Sequence, residues 1–167
     1  MAFKEIDLLK TDINPFRSIG SDWCLITSGD KDSFNTMTAS WGGMGIMWNK
    51  NVATIVIRPQ RYTMEFLKKN DTFTISFFDE KDKGILKYCG ANSGRNVDKV
   101  ASTGLIPFEI DNAVSFQQAK TVLVCRKLYA QSLDPDCFID KSLLSNYANN
   151  DYHVAIVGEI LQAINND

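Results

Sequence analysis

A small antiparallel β-barrel with peripheral helices is the fold class the sequence predicts, and three observations predict it. Runs rich in β-branched and aromatic residues dominate the chain, with turn signals between them. Helical signals are fewer and short. They are inserted among the strands without the regular alternation of βαβ units. At 167 residues the chain suits one domain over residues 1–167, able to bury roughly 70% of its unfolded surface.

The expected strands begin with "WCLITS" (Trp23–Ser28), "NTMTASW" (Asn35–Trp41) and "VATIVI" (Val52–Ile57). In "TFTISFF" (Thr72–Phe78), Phe73, Ile75 and Phe77 alternate with Thr72, Thr74 and Ser76, the period of a strand. Two longer runs follow, "AKTVLVCRKLYAQ" (Ala119–Gln131) and "HVAIVGEILQAI" (His153–Ile164). Their centres are apolar at successive positions, which predicts cover on both faces. "TMEFLKKN" (Thr63–Asn70) predicts a helix with Thr63 as N-cap, Glu65 in the first turn and lysines in the last. "DKGILKYCG" (Asp82–Gly90) and "NVDKVASTG" (Asn96–Gly104) each end on a glycine suited to closing a helix. "SLLSNYANN" (Ser142–Asn150) is a fourth candidate.

Composition narrows the function classes. The chain is 44% hydrophobic and 23% charged, the balance of an ordinary globular protein. A net charge of −2 and a pI near 5.4 argue against whole-molecule attraction to nucleic acid or an anionic membrane, so a bound anion needs a local cradle. No run approaches the ~20 apolar residues that cross a bilayer. "MAFKEIDLLKTD" interleaves charge with apolar residues, unlike a targeting segment, so the cytoplasm is the expected location. Cys24, Cys89, Cys125 and Cys137 lie far apart without a CxxC pair, which predicts reduced thiols. One histidine beside scattered cysteines predicts no metal site.

Four stretches carry candidate chemistry. Ser33 to Asn49 contains no ionisable side chain and mixes small hydroxyls with Trp41, Trp48, Met44, Met47 and three glycines. Hydroxyl residues on a strand admit a flat ligand to the backbone, with indole and thioether walls beside it. The alternative is a plain barrel wall followed by a glycine-rich loop. "GGMG" fits neither a Rossmann nor a Walker fingerprint. In "RPQRYT", Arg58 and Arg61 flank the start of the expected helix, where free N–H groups attract phosphate. Two surface arginines beside a capped helix is the competing reading.

"NSGRNVDKV" (Asn92–Val100) offers a glycine-hinged cationic loop that covers a cofactor, or a solvated Arg95/Asp98/Lys99 cluster. His153 is open to three roles: nicotinamide contact, proton donor, or packing at the barrel rim. No GxSxG elbow supports a triad.

The order of these blocks is more specific than any one of them. "FNTMTASWGGMG", "VATIVIRPQRYTMEFL", "TFTISFF", "SGRNVDKV" and "HVAIVGEI" in succession resemble the flavin reductase-like family, specifically flavoredoxin-type members with an FMN-binding split barrel. The resemblance runs from about Trp23 to Ile160. It implies a homodimer with FMN near the subunit interface. Thr36, Met37, Thr38, Ala39, Ser40 and Trp41 would line the ring and ribityl chain. Arg58, Arg61, Tyr62 and Thr63 would hold the phosphate, and Ser93, Arg95 and Lys99 would close over the flavin. His153 would lie close to the site. The implied activity is hydride transfer from NAD(P)H to flavin, with electrons passed to free flavin, a redox protein or oxygen. An FMN electron carrier that takes no hydride from NAD(P)H and a flavin-free binding protein are the alternatives.

Overall fold

Strand pairing organises this chain, as its β-branched runs predict. A computed structural model describes residues 3–166. In chain order it contains β1 (Phe3–Glu5), α1 (Pro15–Gly20), β2 (Cys24–Gly29), β3 (Phe34–Ala39), β4 (Gly42–Met47) and β5 (Lys50–Ile57). There follow α2 (Tyr62–Lys69), β6 (Thr72–Phe77), α3 (Lys83–Ala91), α4 (Lys99–Thr103), β7 (Pro107–Ile110), β8 (Ala113–Phe116), β9 (Thr121–Ser132) and β10 (Val154–Asn166). Four short 3₁₀ turns complete the set, and Lys141–Tyr147 becomes one of these where an α-helix was a candidate.

The main sheet runs β3-β2-β6-β9-β10-β5-β4, every pair antiparallel, with β1 added to β10. Its two end strands are consecutive in sequence. Ala39 and Gly42 are three residues apart and so at most roughly 11 Å from one another. Seven flat strands would place those edges nearly 30 Å apart at ~4.8 Å per strand. The sheet therefore curls into a barrel. Two register shifts in the β9–β10 ladder, at Val157/Gly158 and Ile160/Gln162, supply bulges of the kind that bend a strand around such a curve.

Both faces of the central strands are covered, as expected. Ile26, Met37, Ile55, Phe73, Ile75, Leu123 and Cys125 form the inner core, which α2 completes with Met64 and Leu67. Leu25, Val122 and Val124 point the other way, into a second core with Leu86, Cys89 and Phe116 under α3 and the β7–β8 hairpin. The polar side of β6 is buried too. Thr74 Oγ1 donates to the Val114 carbonyl at 2.6 Å, and Ser76 meets the Ser115 hydroxyl at 2.9 Å.

Several local expectations shift. The glycine-rich segment after Trp41 is a strand, because β5 offers its ladder to Gly42–Met47. At Gly42, φ is +150° and a Cβ would meet the Thr54 carbonyl at 2.5 Å, so the close approach requires glycine. Trp48 and Asn49, both at positive φ, form the two-residue turn between β4 and β5. Gly90 lies within α3, which ends at Ala91, whereas Gly104 at φ +71° closes α4 as expected. Cys24, Cys89 and Cys125 are buried free thiols, and Cys137 is free and exposed.

Gly158 sits on the first bulge, where an added Cβ would meet the Phe73 ring at 2.7 Å and Cys125 Cβ at 3.1 Å. Phe73 is fully buried and has nowhere to go. Gly158→Ala is expected to destabilise the fold by about 1–3 kcal/mol through overpacking. Chemical denaturation reads this directly, and an unchanged midpoint would refute the tight contact.

Candidate functional site

The helix expected after "RPQR" with Thr63 as its N-cap is capped two residues earlier. Arg61 is the N-cap of α2, and no side chain caps it. Thr63 falls inside the first turn, because its hydroxyl is claimed elsewhere: it accepts from Asn35 Nδ2 at 2.7 Å. The α2 N-terminus thus keeps backbone N–H groups uncapped by any side chain, the condition for an anion site.

Two cations stand beside it. Lys99 is 6% exposed, and its ammonium donates to the carbonyls of Thr36 at 2.7 Å and Cys89 at 2.8 Å. Arg61 donates to the Gly90 carbonyl at 3.3 Å. Cys89 and Gly90 lie at the C-terminal end of α3, whose carbonyls attract positive charge. These contacts leave N–H donors on both side chains. Burial lowers the Lys99 pKa, the nearby Cys89 thiol opposes this, and the Arg61 charge lowers it further. Arg61 and Lys99 are therefore near enough to repel.

Lys99 faces a polar cleft of about 690 Å³ that it shares with Asn35, Thr36, Tyr62, Gly94 and Arg95. That volume lies within the range of small-molecule sites. The loop carrying Gly94 presses so closely on Asn35 that a Cβ would lie 2.0 Å from its Oδ1. Arg95 lies over the Tyr62 ring at 4.8 Å, donates to the Gln60 carbonyl at 3.1 Å and pairs with Glu65. Ser93 accepts from the Arg95 backbone N–H at 3.3 Å and shapes the turn.

Of the β3 positions expected to line a ligand, Met37 and Ala39 point into the inner core. The Thr36 hydroxyl bonds within the sheet, to Thr27 Oγ1 and the Ile26 carbonyl. Thr38 Oγ1 donates to the Leu86 carbonyl of α3 at 2.5 Å. Ser40 and Trp41 are exposed in the link that closes the barrel, with the indole 5.2 Å from the His153 ring.

Arg58 is more heavily engaged than Arg61. Its guanidinium donates to Asp151 Oδ2 at 2.5 Å and to the Asn146 carbonyl at 2.9 Å, and lies 5.3 Å from the centre of the Tyr147 ring. Gln60 donates to the same Asp151 oxygen at 2.7 Å. The Gln60 and Arg58 hydrogen bonds hold the Asp151 carboxyl below its ordinary pKa. Tyr147 in turn meets His153 Nδ1 at 2.9 Å. Burial lowers the His153 pKa; Arg58 and Arg61 lower it further, against the opposing charge of Asp151. The Arg61 charge lowers the pKa of both Lys99 and His153.

Sequence reasoning missed Asn35, Gln60, Asn146, Tyr147 and Asp151. The Arg58–Asp151 pair spans 93 positions and leaves no spacing signal. Tyr147 and His153 are only six residues apart, but a turn rather than a regular element relates them.

A family model described as "Flavin reductase like domain" matches residues 16–167. Among solved structures the fold is similar to flavoredoxin from Methanosarcina acetivorans, at TM-score 0.70 and 21% identity, covering 95% of this chain and 76% of that one. It is similar to an FMN-binding domain of a flavin reductases-like enzyme from Shewanella baltica, at TM-score 0.70 and 17% identity, covering 98% and 77%. Flavoredoxin of Desulfovibrio vulgaris gives TM-score 0.70 and 20% identity over 98% of this chain and 78% of that one. A comparison with curated proteins finds no match. At these identities the structural likeness establishes the fold, an antiparallel split barrel with peripheral helices. With the family match extending from α1 through β10, the chain belongs to the flavin reductase like domain family.

Proposed function

We propose that this protein binds FMN and works as an oxidoreductase of the flavin reductase type, accepting hydride from NAD(P)H and passing electrons to free flavin or a redox protein. One observation carries the reading: Arg61 and Lys99 retain unspent donors beside a helix start that no side chain caps. In a protein of net charge −2, that is the local cradle a phosphate needs. The cleft along Tyr62, Gly94 and Arg95 supports a role for this loop in covering the ligand. Trp41, exposed and 5.2 Å from the His153 ring, supports a role for this pair in meeting the ligand's ring.

When bound, FMN supplies the hydride and electron chemistry at its ring. The chain's residues bind and orient it. Arg61, Lys99 and the first N–H groups of α2 hold the phosphate. Arg58 contributes by fixing the Asn146–Asp151 segment, and its ion pair leaves it less charge to offer a ligand directly. Thr38 ties β3 to α3 and keeps the strand backbone in place.

A second reading, an FMN electron carrier without direct NAD(P)H oxidation, is favoured by the two flavoredoxins among its structural neighbours. Both readings include a homodimer with FMN near the subunit interface. The edge strand β4, which among the described residues pairs only with β5, and the turn after it support it, exposing Ile46 at 69% and Trp48 at 53%.

Three measurements test this. Freshly purified protein is expected to be yellow or to take up added FMN, and Arg61→Ala is expected to cost about 1.5–3 kcal/mol of FMN affinity, more than Arg58→Ala costs. Equal loss in the two variants, measured by fluorescence titration, would overturn the ranking. Anaerobic stopped-flow mixing with NADH and NADPH is expected to bleach the flavin band, and no bleaching with either leaves the electron carrier. Sedimentation is expected to find a dimer that Ile46→Glu converts to monomer, and a monomeric wild-type protein would remove the interface.

A further inference from the structure

The chain has one histidine, His153, which is 8% exposed at the mouth of β10. Its ring lies 5.2 Å from Trp41 and, edge-on, 5.5 Å from Tyr147. Nδ1 is 2.9 Å from the Tyr147 hydroxyl. Which atom donates follows from counting protons. Tyr147 is 6% exposed, and among the described residues Nδ1 is the only hydrogen-bond partner of its hydroxyl. If the phenol accepted from an Nδ1–H, its own proton would have no protein acceptor, beside the Arg58 guanidinium. Donation to Nδ1 satisfies it and places the imidazole proton on Nε2.

Nε2 has no hydrogen bond to any described residue. The buried side-chain atoms without partners belong to Asp82, Asp151 and Asn166. Nε2 is not one of them, so it reaches solvent. Burial lowers the ring's pKa, Arg58 and Arg61 lower it further, and Asp151 opposes them. Tyr147 is itself held from several sides. Arg58 bonds the preceding carbonyl of Asn146, Tyr152 stacks on the phenol at 4.8 Å, and Phe138 meets its edge at 5.9 Å.

We propose that Tyr147 is a positioning residue that donates its hydroxyl proton to His153 Nδ1 and thereby presents an Nε2–H donor to an acceptor atom of the bound ring system. The ligand half of this rests on the FMN reading above; the tautomer half does not. His153 then serves as a fixed neutral donor. Arg58 acts through Tyr147 rather than on the ligand.

A single histidine makes the test direct. Nitrogen NMR of protein carrying isotope-labelled histidine, at a pH where the ring is neutral, is expected to show the proton on Nε2. In Tyr147→Phe the Nδ1 resonance is expected to move toward that of an imine nitrogen without a hydrogen bond. A wild-type ring protonated on Nδ1, or an Nδ1 resonance unmoved in the folded variant, overturns the assignment. The wild-type spectrum decides alone if the variant does not fold. Added FMN is expected to shift the Nε2–H resonance. Yellow, FMN-loaded protein with that resonance unmoved overturns the ligand half. A protein that takes up no FMN overturns the functional reading and the ligand half together, and leaves the tautomer to the Nδ1 measurement.

Discussion

Everything about the location of the site follows from a two-residue link. Ser40 and Trp41 join β3 to β4, the two ends of the seven-strand path. A connection that short forces the sheet to close, and closure brings the β3 end of the sheet around to the β5 end. β3 brings Thr36 against Lys99 of α4 and Thr38 against α3. The end of β5 brings Arg58 and the approach to α2. In an open sheet these groups would lie on opposite edges. The register is equally constrained, because a one-residue slip would exchange Leu25 with Ile26 and Val124 with Cys125 between the two cores.

Within that frame the two arginines of "RPQR" divide the work by what each meets. Arg58 leaves β5 toward the turn that follows Lys141–Tyr147 and is consumed by Asp151 and Asn146. Arg61 is the N-cap residue of α2, and among the described residues its side chain donates to one carbonyl, that of Gly90. Equal residues in a symmetric-looking motif thus acquire unequal roles: one organises an aromatic cluster around Tyr147 and His153, and the other keeps its charge available.

The strands were the legible part, because period and β-branching are local properties. β2, β5, β6, β9 and β10 lie within a few residues of their expected spans. Four strands and one helix were not anticipated. β1 owes its strand form to pairing with Asn165 and its neighbours at the far end of the chain. β4 is a strand because β5 supplies a partner to a glycine-rich sequence with little preference of its own. The β7–β8 hairpin turns on Asp111 and Asn112, both at positive φ, a local signal that was available. α1 likewise carried one, Asn14 capping and Pro15 in the first turn. In the site, charge and sequence order were readable, but the use of each hydroxyl was not. Thr36 and Thr63 are satisfied by strand and asparagine partners that no spacing rule connects to them.

The pairing of Arg61 with Lys99 is hard to explain as a stabilising device alone. Capping the carbonyls of Cys89 and Gly90 needs hydrogen-bond donors, which neutral side chains can supply. Burying an ammonium at 6% exposure costs desolvation, and placing a guanidinium near enough to depress it further adds repulsion. A fold bears such a cost where a ligand removes it. An anion seated at the α2 start neutralises the repulsion, fills the remaining donors of both side chains and uses the uncapped N–H groups, so its binding and the stability of this corner are linked in one direction. At His153 burial lowers the pKa first, and Arg58 and Arg61 lower it further against the opposing charge of Asp151. Arg61 thus acts at both ends: beside Lys99 it adds positive charge to the α2 start, and together with Arg58 it disfavours a charged His153 ring.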